Sequence, residues 1–326
     1  MLDLKPLNRI LFLDIETTSE KENFLELSEH KQALFLKRFK KDIEPLVNTQ
    51  YEDYLAKNVF SKKKNSATVV TETVVTKEEN VKKLLEITNS VCTEIYNVKA
   101  PIFPEFGRIL CISVGVLWKT NETDNSYFTK IISFYNEDEK TLLEEFVNHP
   151  KLGVILNKIP GKYEKSPSDF WAMCAHNGRV FDFPFIAKRL IINKMKLPAM
   201  FDYAHLKPWE QNHIIDTKEA WSFGVWDAAI SLDLLSEIFE TPSSKDDIDG
   251  SQVKDVFWVE KDLPRIAKYC EKDVFALTKN YLMMKSMDEE IIIYEPIQAA
   301  PEEGIQEMKA AENQSIQIRG TEDSQN

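Results

Sequence analysis

Apolar residues fall along the chain in two patterns, short unbroken runs and stripes at helical spacing. Residues 10–13 (ILFL) are continuously apolar and lead into Asp14 and Glu16, which predicts a buried strand whose carboxyl end carries two acids. Residues 109–118 (ILCISVGVLW) and 127–135 (YFTKIISFY) are rich in β-branched and aromatic side chains and predict a second and a third strand. A fourth, 170–175 (FWAMCA), ends in His176-Asn177-Gly178, a turn signal, and 214–216 is a short further strand. Helices are predicted over 138–147, 185–195, 232–239 and 263–284. Strands of nearly unbroken apolar character that alternate with helices imply an α/β layered fold around a mixed sheet.

Two stretches break this alternation. Between the first and second strands, residues 19–100 are highly charged. Phe35, Phe39 and Ile43 fall at helical spacing there, as do Val81, Leu84, Val91 and Ile95. This reads as a helical insertion, with 61–66 (SKKKNS) as an exposed linker. Residues 286–326 contain ten acids and two bases and little apolar character beyond Tyr294, and are expected to be a disordered, solvated tail. One domain is therefore expected over 1–285, with no internal repeats.

Composition narrows the classes. The 326 residues are 43% hydrophobic and 29% charged, enough to bury a sizeable core. Glycine occurs only nine times, and neither glycine-rich phosphate-binding motif is present. No apolar run is long enough for a membrane span, and the first residues lack a secretory signal, so a cytoplasmic protein is expected. Cys92, Cys111, Cys174 and Cys270 form no C-x-x-C pair, which fits reduced, buried thiols. The net charge of −12 weighs against a nucleic-acid binder. Two thirds of that excess lies in the tail, however, and the rest of the chain carries 43 acids against 39 bases.

Three groups of residues carry candidate chemistry. On a strand, i and i+2 project to one face, so Asp14 and Glu16 place two carboxylates side by side. Such a pair repels and loses water, and a hard divalent cation with oxygen ligands relieves it; a solvated strand end is the plainer alternative. Asp182 stands just before a helix, where it could be an N-terminal cap, yet it also follows a strand at the sheet edge where open α/β folds bind ligands. Tyr269 and Asp273, at i and i+4, flank the stripe of Leu263, Ile266, Cys270, Val274, Leu277 and Tyr281, about 100° to one side of it. Asp247 and Asp249 before Gly250 do not complete a calcium loop. Lys245 could meet a phosphate or sit in a solvated turn. Arg38, Lys40, Lys41 and the run 62–64 could line a path for a strand, though a solvated helix face and linker is the plainer reading.

Taken together, Asp14-x-Glu16, Asp182 in N-G-x-x-F-D and Tyr269-x-x-x-Asp273 resemble the three exonuclease motifs of the DEDD superfamily, tyrosine subtype. The nearest resemblance is to the stand-alone predicted 3′-5′ exonucleases related to the proofreading domain of B-family DNA polymerases. Supporting segments are 104–115 (PEFGRILCISVG), 207–210 (KPWE), 215–217 (IDT) and 244–253 (SKDDIDGSQV). The resemblance covers 1–18 and 101–285. It implies a ribonuclease H-like fold, a mixed five-stranded sheet flanked by helices. It also implies that Asp14, Glu16, Asp182 and Asp273 hold two Mg²⁺ or Mn²⁺ ions and that Tyr269 aims the attacking water. Thr17 and Phe181 would contact the terminal nucleotide, and Asn177 would shape the site or touch the strand. The implied reaction is hydrolysis of single-stranded nucleic acid, DNA first, from the 3′ end to nucleoside 5′-monophosphates, with any repair or replication role performed alone or with a partner protein. The tyrosine subtype uses no catalytic histidine, which leaves His176 a local structural or substrate-edge role. An RNA-processing exoribonuclease and a catalytically silent nucleic-acid-binding module are the alternatives, although silence fits poorly with all four acids and the tyrosine present.

Overall fold

The computed structural model describes residues 6–59, 77–119, 126–158, 171–225, 230–242, 247–285 and 292–294. Its sheet is built from β1 (Ile10–Ser19), β2 (Gly107–Lys119), β3 (Ser126–Tyr135), β4 (Ala172–Ala175), β5 (Ile214–Asp216) and β6 (Ile292–Tyr294), in the order β5-β4-β1-β2-β3-β6. β1, β2 and β3 form an antiparallel meander, while β4 and β5 add parallel to β1. These five strands are the mixed ribonuclease H-like sheet expected from the sequence. The three-residue β6, parallel to β3, adds a sixth at the far edge. It lies within 286–326, the stretch expected to be a tail. The rest of that stretch, the linker 61–66 and Lys245 fall outside the described residues.

Helices α1 (Glu29–Arg38), α2 (Lys40–Val59) and α3 (Lys77–Lys99) lie between β1 and β2. α4 (Glu139–Asn148) and α5 (Leu152–Leu156) join β3 to β4, and α6 (Asp182–Ile192) joins β4 to β5. α7 (Thr217–Ser222), α8 (Leu232–Ile238) and α9 (Val253–Asp255), which continues into a π-helical turn Val256–Glu260, precede the long α10 (Leu263–Met284). Among the described residues no helix is long and apolar enough to cross a membrane.

Strand alternation splits the core into two layers. Leu11, Leu13 and Ile15 of β1 pack with Leu142, Phe146, Phe183 and Ile186 of α4 and α6. Ile10 and Phe12, on the other face, pack with Val274, Leu277 and Tyr281 of α10, where the Phe12 and Tyr281 rings meet edge to face at 5.3 Å. Gly115, paired with Phe12, lets α10 lie this close: a Cβ there would come within 2.7 Å of the Val274 side chain.

The insertion has its own core, in which Phe24, Phe35, Phe39, Ile43, Val91 and Tyr96 surround Phe106 at the start of β2. The stripe expected on α3 is only partly used. Val91 is buried, but Val81 and Leu84 are exposed, and Ile87, Cys92 and Tyr96 complete the packed face instead. A helix that packs over only its second half does not reveal from spacing alone which apolar positions it buries. All four cysteines are free and buried.

Candidate active site

Asp14 and Glu16 continue the face of β1 that carries Ile10 and Phe12, so they emerge beneath α10 as the apolar contact ends. Glu16 is buried and Asp14 half-buried. A register shift between Glu16 and Thr17 in the pairing with β2 bends the strand just beyond the second acid. From the helix above, Cys270 donates to the Asp14 backbone oxygen at 3.4 Å and to its Oδ2 at 3.5 Å. Ligand atoms of Asp14, Glu16 and Cys270 all lie within 4.8 Å of one another. Cys111, paired with Glu16 across the sheet, packs against Cys270. Tyr269 and Asp273, one turn apart on α10, are both buried beside this group.

The fourth acid arrives from the turn after β4. β4 pairs with β1 only as far as Phe12–Cys174, so the carboxyl end of β1 projects past it. Asp182 opens α6 there, three residues before the helix was expected, and is 2% exposed. The turn is held by Asp216, whose carboxylate accepts from the backbone N–H of Asn177 and Arg179 (3.0 Å each), Lys218 (2.9 Å) and Glu219 (3.2 Å). Asn177 takes the left-handed conformation at φ 68°, and its Oδ1 accepts from Lys218 Nζ at 3.2 Å. Gly178 is required because a Cβ would stand 2.4 Å from that of Ala175.

The other expected residues sort as follows. Phe181 is half-buried immediately before Asp182, its ring 5.4 Å from that of Phe185. The Thr17 hydroxyl donates to the Pro101 carbonyl at 2.8 Å, which ties the end of β1 to the end of the insertion. His176 bridges the Thr217 hydroxyl and the Ile230 carbonyl, each at 2.9 Å, a structural role. Asp247 is paired with Arg265 at 2.7 Å. Sequence reasoning missed two features. Asp216 stood only within a supporting segment, and Cys270 was read simply as part of the apolar stripe. The stripe contained the signal for Cys270, because a residue on the sheet-facing side of α10 next to Tyr269 must meet the end of β1.

Burial and mutual repulsion dominate the electrostatics. Asp14 is held well above the ordinary carboxylate range by burial first, then by the charges of Asp273, Asp182 and Glu16. Glu16 is raised by burial, Asp273, the Cys111 sulfur and Asp182. Burial pushes Asp182 up to about 7 against the pull of backbone N–H groups, its own and that of Ile15. The Tyr269 phenol is driven far up by burial and then by Asp273, Glu16 and Asp14. No cation is among the groups that act on Asp14 or Glu16. A buried set of hard oxygen donors that repel one another fits divalent cations such as Mg²⁺ or Mn²⁺.

Burial, with this repulsion added to it, gives metal-free stability a definite pH dependence. Below about pH 7 the folded protein takes up protons at this site, whereas the unfolded chain does so only near the ordinary carboxylate range. The site therefore costs most stability above pH 7, and that cost is relieved as the pH falls through the window. In EDTA, the advantage in Tm of Asp14→Asn over wild type is expected to be largest near pH 8 and to shrink toward pH 5. An advantage that grows on acidification contradicts the repulsive cluster.

Residues 105–295, more than half of the chain, match the model of a family described as a predicted 3′-5′ exonuclease related to the exonuclease domain of PolB. No curated protein matches the chain. The match includes Asp182, Tyr269 and Asp273 but begins after Asp14 and Glu16. It is the fold that brings those two acids across the insertion to the other three residues.

Proposed function

Given that the chain belongs to the family of predicted 3′-5′ exonucleases related to the exonuclease domain of PolB, we propose that it hydrolyses single-stranded nucleic acid from the 3′ end, with DNA as the preferred strand. The observation that carries this reading is the convergence of four carboxylates from β1, α6 and α10: Asp14, Glu16 and Asp182 are each held above the ordinary carboxylate range, by burial first, and the charge of Asp273 acts on all three. DNA is favoured because the family is related to a DNA polymerase's exonuclease domain.

Asp14, Glu16, Asp182 and Asp273 would hold Mg²⁺ or Mn²⁺, and two such ions stabilise the attacking and leaving oxygens of a displacement at phosphorus and lower the pKa of a bound water. The protein's own groups do the rest. Tyr269, kept protonated by its raised pKa, donates a hydrogen bond that aims the water. Phe181 offers a ring beside the terminal nucleotide, and Asn177, fixed by Asp216, shapes the turn that presents it. Water attacks the last phosphodiester, the 3′-oxygen departs with the shortened strand, and a nucleoside 5′-monophosphate is released.

Labelled DNA and RNA strands ending in 3′-OH or 3′-phosphate test this reading. Shortening of 3′-OH strands, with DNA faster, is expected, and cleavage indifferent to the 3′ end contradicts it. For Tyr269→Phe, kcat is expected to fall about 10–1000-fold, the range for one positioned group. The Mg²⁺ concentration for half-maximal rate should stay within about threefold. Equal losses in both would make Tyr269 part of the cation site instead.

A further inference from the structure

A cleft of about 190 Å³ lies next to Asp182, between two parts of the chain far apart in sequence. One wall belongs to the insertion and its return to the sheet, with Arg38 at the end of α1 and Phe103 and Glu105 just before β2. The opposite wall is one face of α6, on which Phe181, Phe185 and Lys188 recur at helical spacing. The walls are braced together: Arg189 of α6 donates to the Pro104 carbonyl at 2.7 Å. The Arg38 guanidinium carbon lies 4.6 Å from the centre of the Phe103 ring, which itself packs on Phe39 of the insertion core at 5.1 Å.

Size and chemistry narrow the ligand. Pockets for drug-sized molecules run to about 300–1,000 Å³, so this cleft suits one flat ring system. Half-buried Phe103 lines one wall and half-buried Phe181 the other, and Arg38 and Lys188 are exposed lining residues. Rings that stack a base beside cations that meet a phosphate are the elements of sequence-tolerant single-strand binding. Phe181, which lines the cleft, directly precedes Asp182 in the chain.

We propose that this cleft is a strand subsite: the base next to the 3′-terminal nucleotide packs against Phe103, with Phe181 shared between the two nucleotides, while Arg38 and Lys188 meet the adjoining phosphates. The inference rests on the exonuclease reading and assigns the insertion, which lies outside the family match, a share in substrate binding. Glu105 opposes the phosphates from the same wall.

The full-length chain with Mg²⁺ is assayed on a single-stranded 20-mer and on the nitrophenyl ester of thymidine 5′-monophosphate, which is one nucleotide long. Arg38→Glu and Lys188→Glu are each expected to raise KM for the strand roughly tenfold and to lower the preference for strand over ester by a similar factor. The salt dependence of strand affinity should flatten by roughly 0.7 in log–log slope per lost phosphate contact. Glu105→Gln should lower the strand KM, a gain that a folding defect does not produce. Unchanged strand KM and salt slope in both charge-reversal variants overturn the subsite while leaving the exonuclease reading intact. Wild-type protein that hydrolyses neither substrate overturns the exonuclease reading, and the subsite with it.

Discussion

Asp14→Asn is expected to slow strand hydrolysis at least about a thousandfold, the upper end of the effect of removing one preorganised charged or polar group, without weakening the metal-free fold. The two halves of this expectation share a cause. Asp14 sits among Asp273, Asp182 and Glu16, and burial plus those three charges disfavour its ionised form. An amide of the same shape removes one of four repelling charges and still offers an oxygen to the Cys270 thiol. It cannot, however, supply a negative ligand to a cation. In EDTA the variant should melt at or slightly above the wild-type temperature. Millimolar Mg²⁺ should raise the wild-type Tm, because it binds only the assembled site, and raise that of the variant less. A variant that is much less stable in EDTA and still hydrolyses strands would mean that Asp14 is a local structural acid.

Glu139→Ala is expected to cost stability where Asp14→Asn does not, by about 3–5 kcal/mol, as for other buried pairs that lose one partner. Glu139 and Arg189 are both buried. The Glu139 carboxylate accepts from Arg189 Nε at 2.9 Å and from Nη2, from the Ile109 N–H at 2.7 Å and from Asn193 at 3.0 Å. It thus joins the start of β2 to α6, the helix that presents Asp182. Alanine leaves the Arg189 guanidinium buried without its counter-charge. The double variant Glu139→Ala/Arg189→Met should recover much of the loss, because a pair replaced by apolar groups avoids the stranded charge. Denaturant unfolding of the three proteins measures this. A double variant no more stable than Glu139→Ala would show that the hydrogen bonds to Ile109 and Asn193, and not the ion pair, carry the effect.

These two acids also mark how far the sequence can be read. Asp14 was legible because a continuous apolar strand running into D-x-E fixes the side chains' face by alternation alone. Tyr269 and Asp273 were legible from helical spacing, and the bounds of α10, 263–284, match the apolar stripe. Glu139 drew no notice in the expected helix 138–147, because its partners Ile109 and Arg189 lie 30 and 50 residues away. Asp216 was hidden for the same reason: its role is to cap a turn 39 residues earlier. The proximity of Cys111 to Glu16 depends on strand register, which periodicity does not supply. On α3, local pattern gave the helix but not the face it buries, which is set by contact with Phe35 and Phe106.

The central claim is that the converging acids form a cation-dependent site acting on 3′ ends, and one doubly labelled strand tests it. A single-stranded DNA with one label on its 3′-terminal nucleotide and another at its 5′ end is incubated with the full-length protein in Mg²⁺ and in EDTA. In Mg²⁺ the 3′ label is expected to appear first, as a nucleoside 5′-monophosphate, while the 5′ label stays on a shortening ladder; in EDTA neither should be released. Undiminished digestion in EDTA, or first release of the 5′ label as a mononucleotide, would contradict the assignment of the four acids.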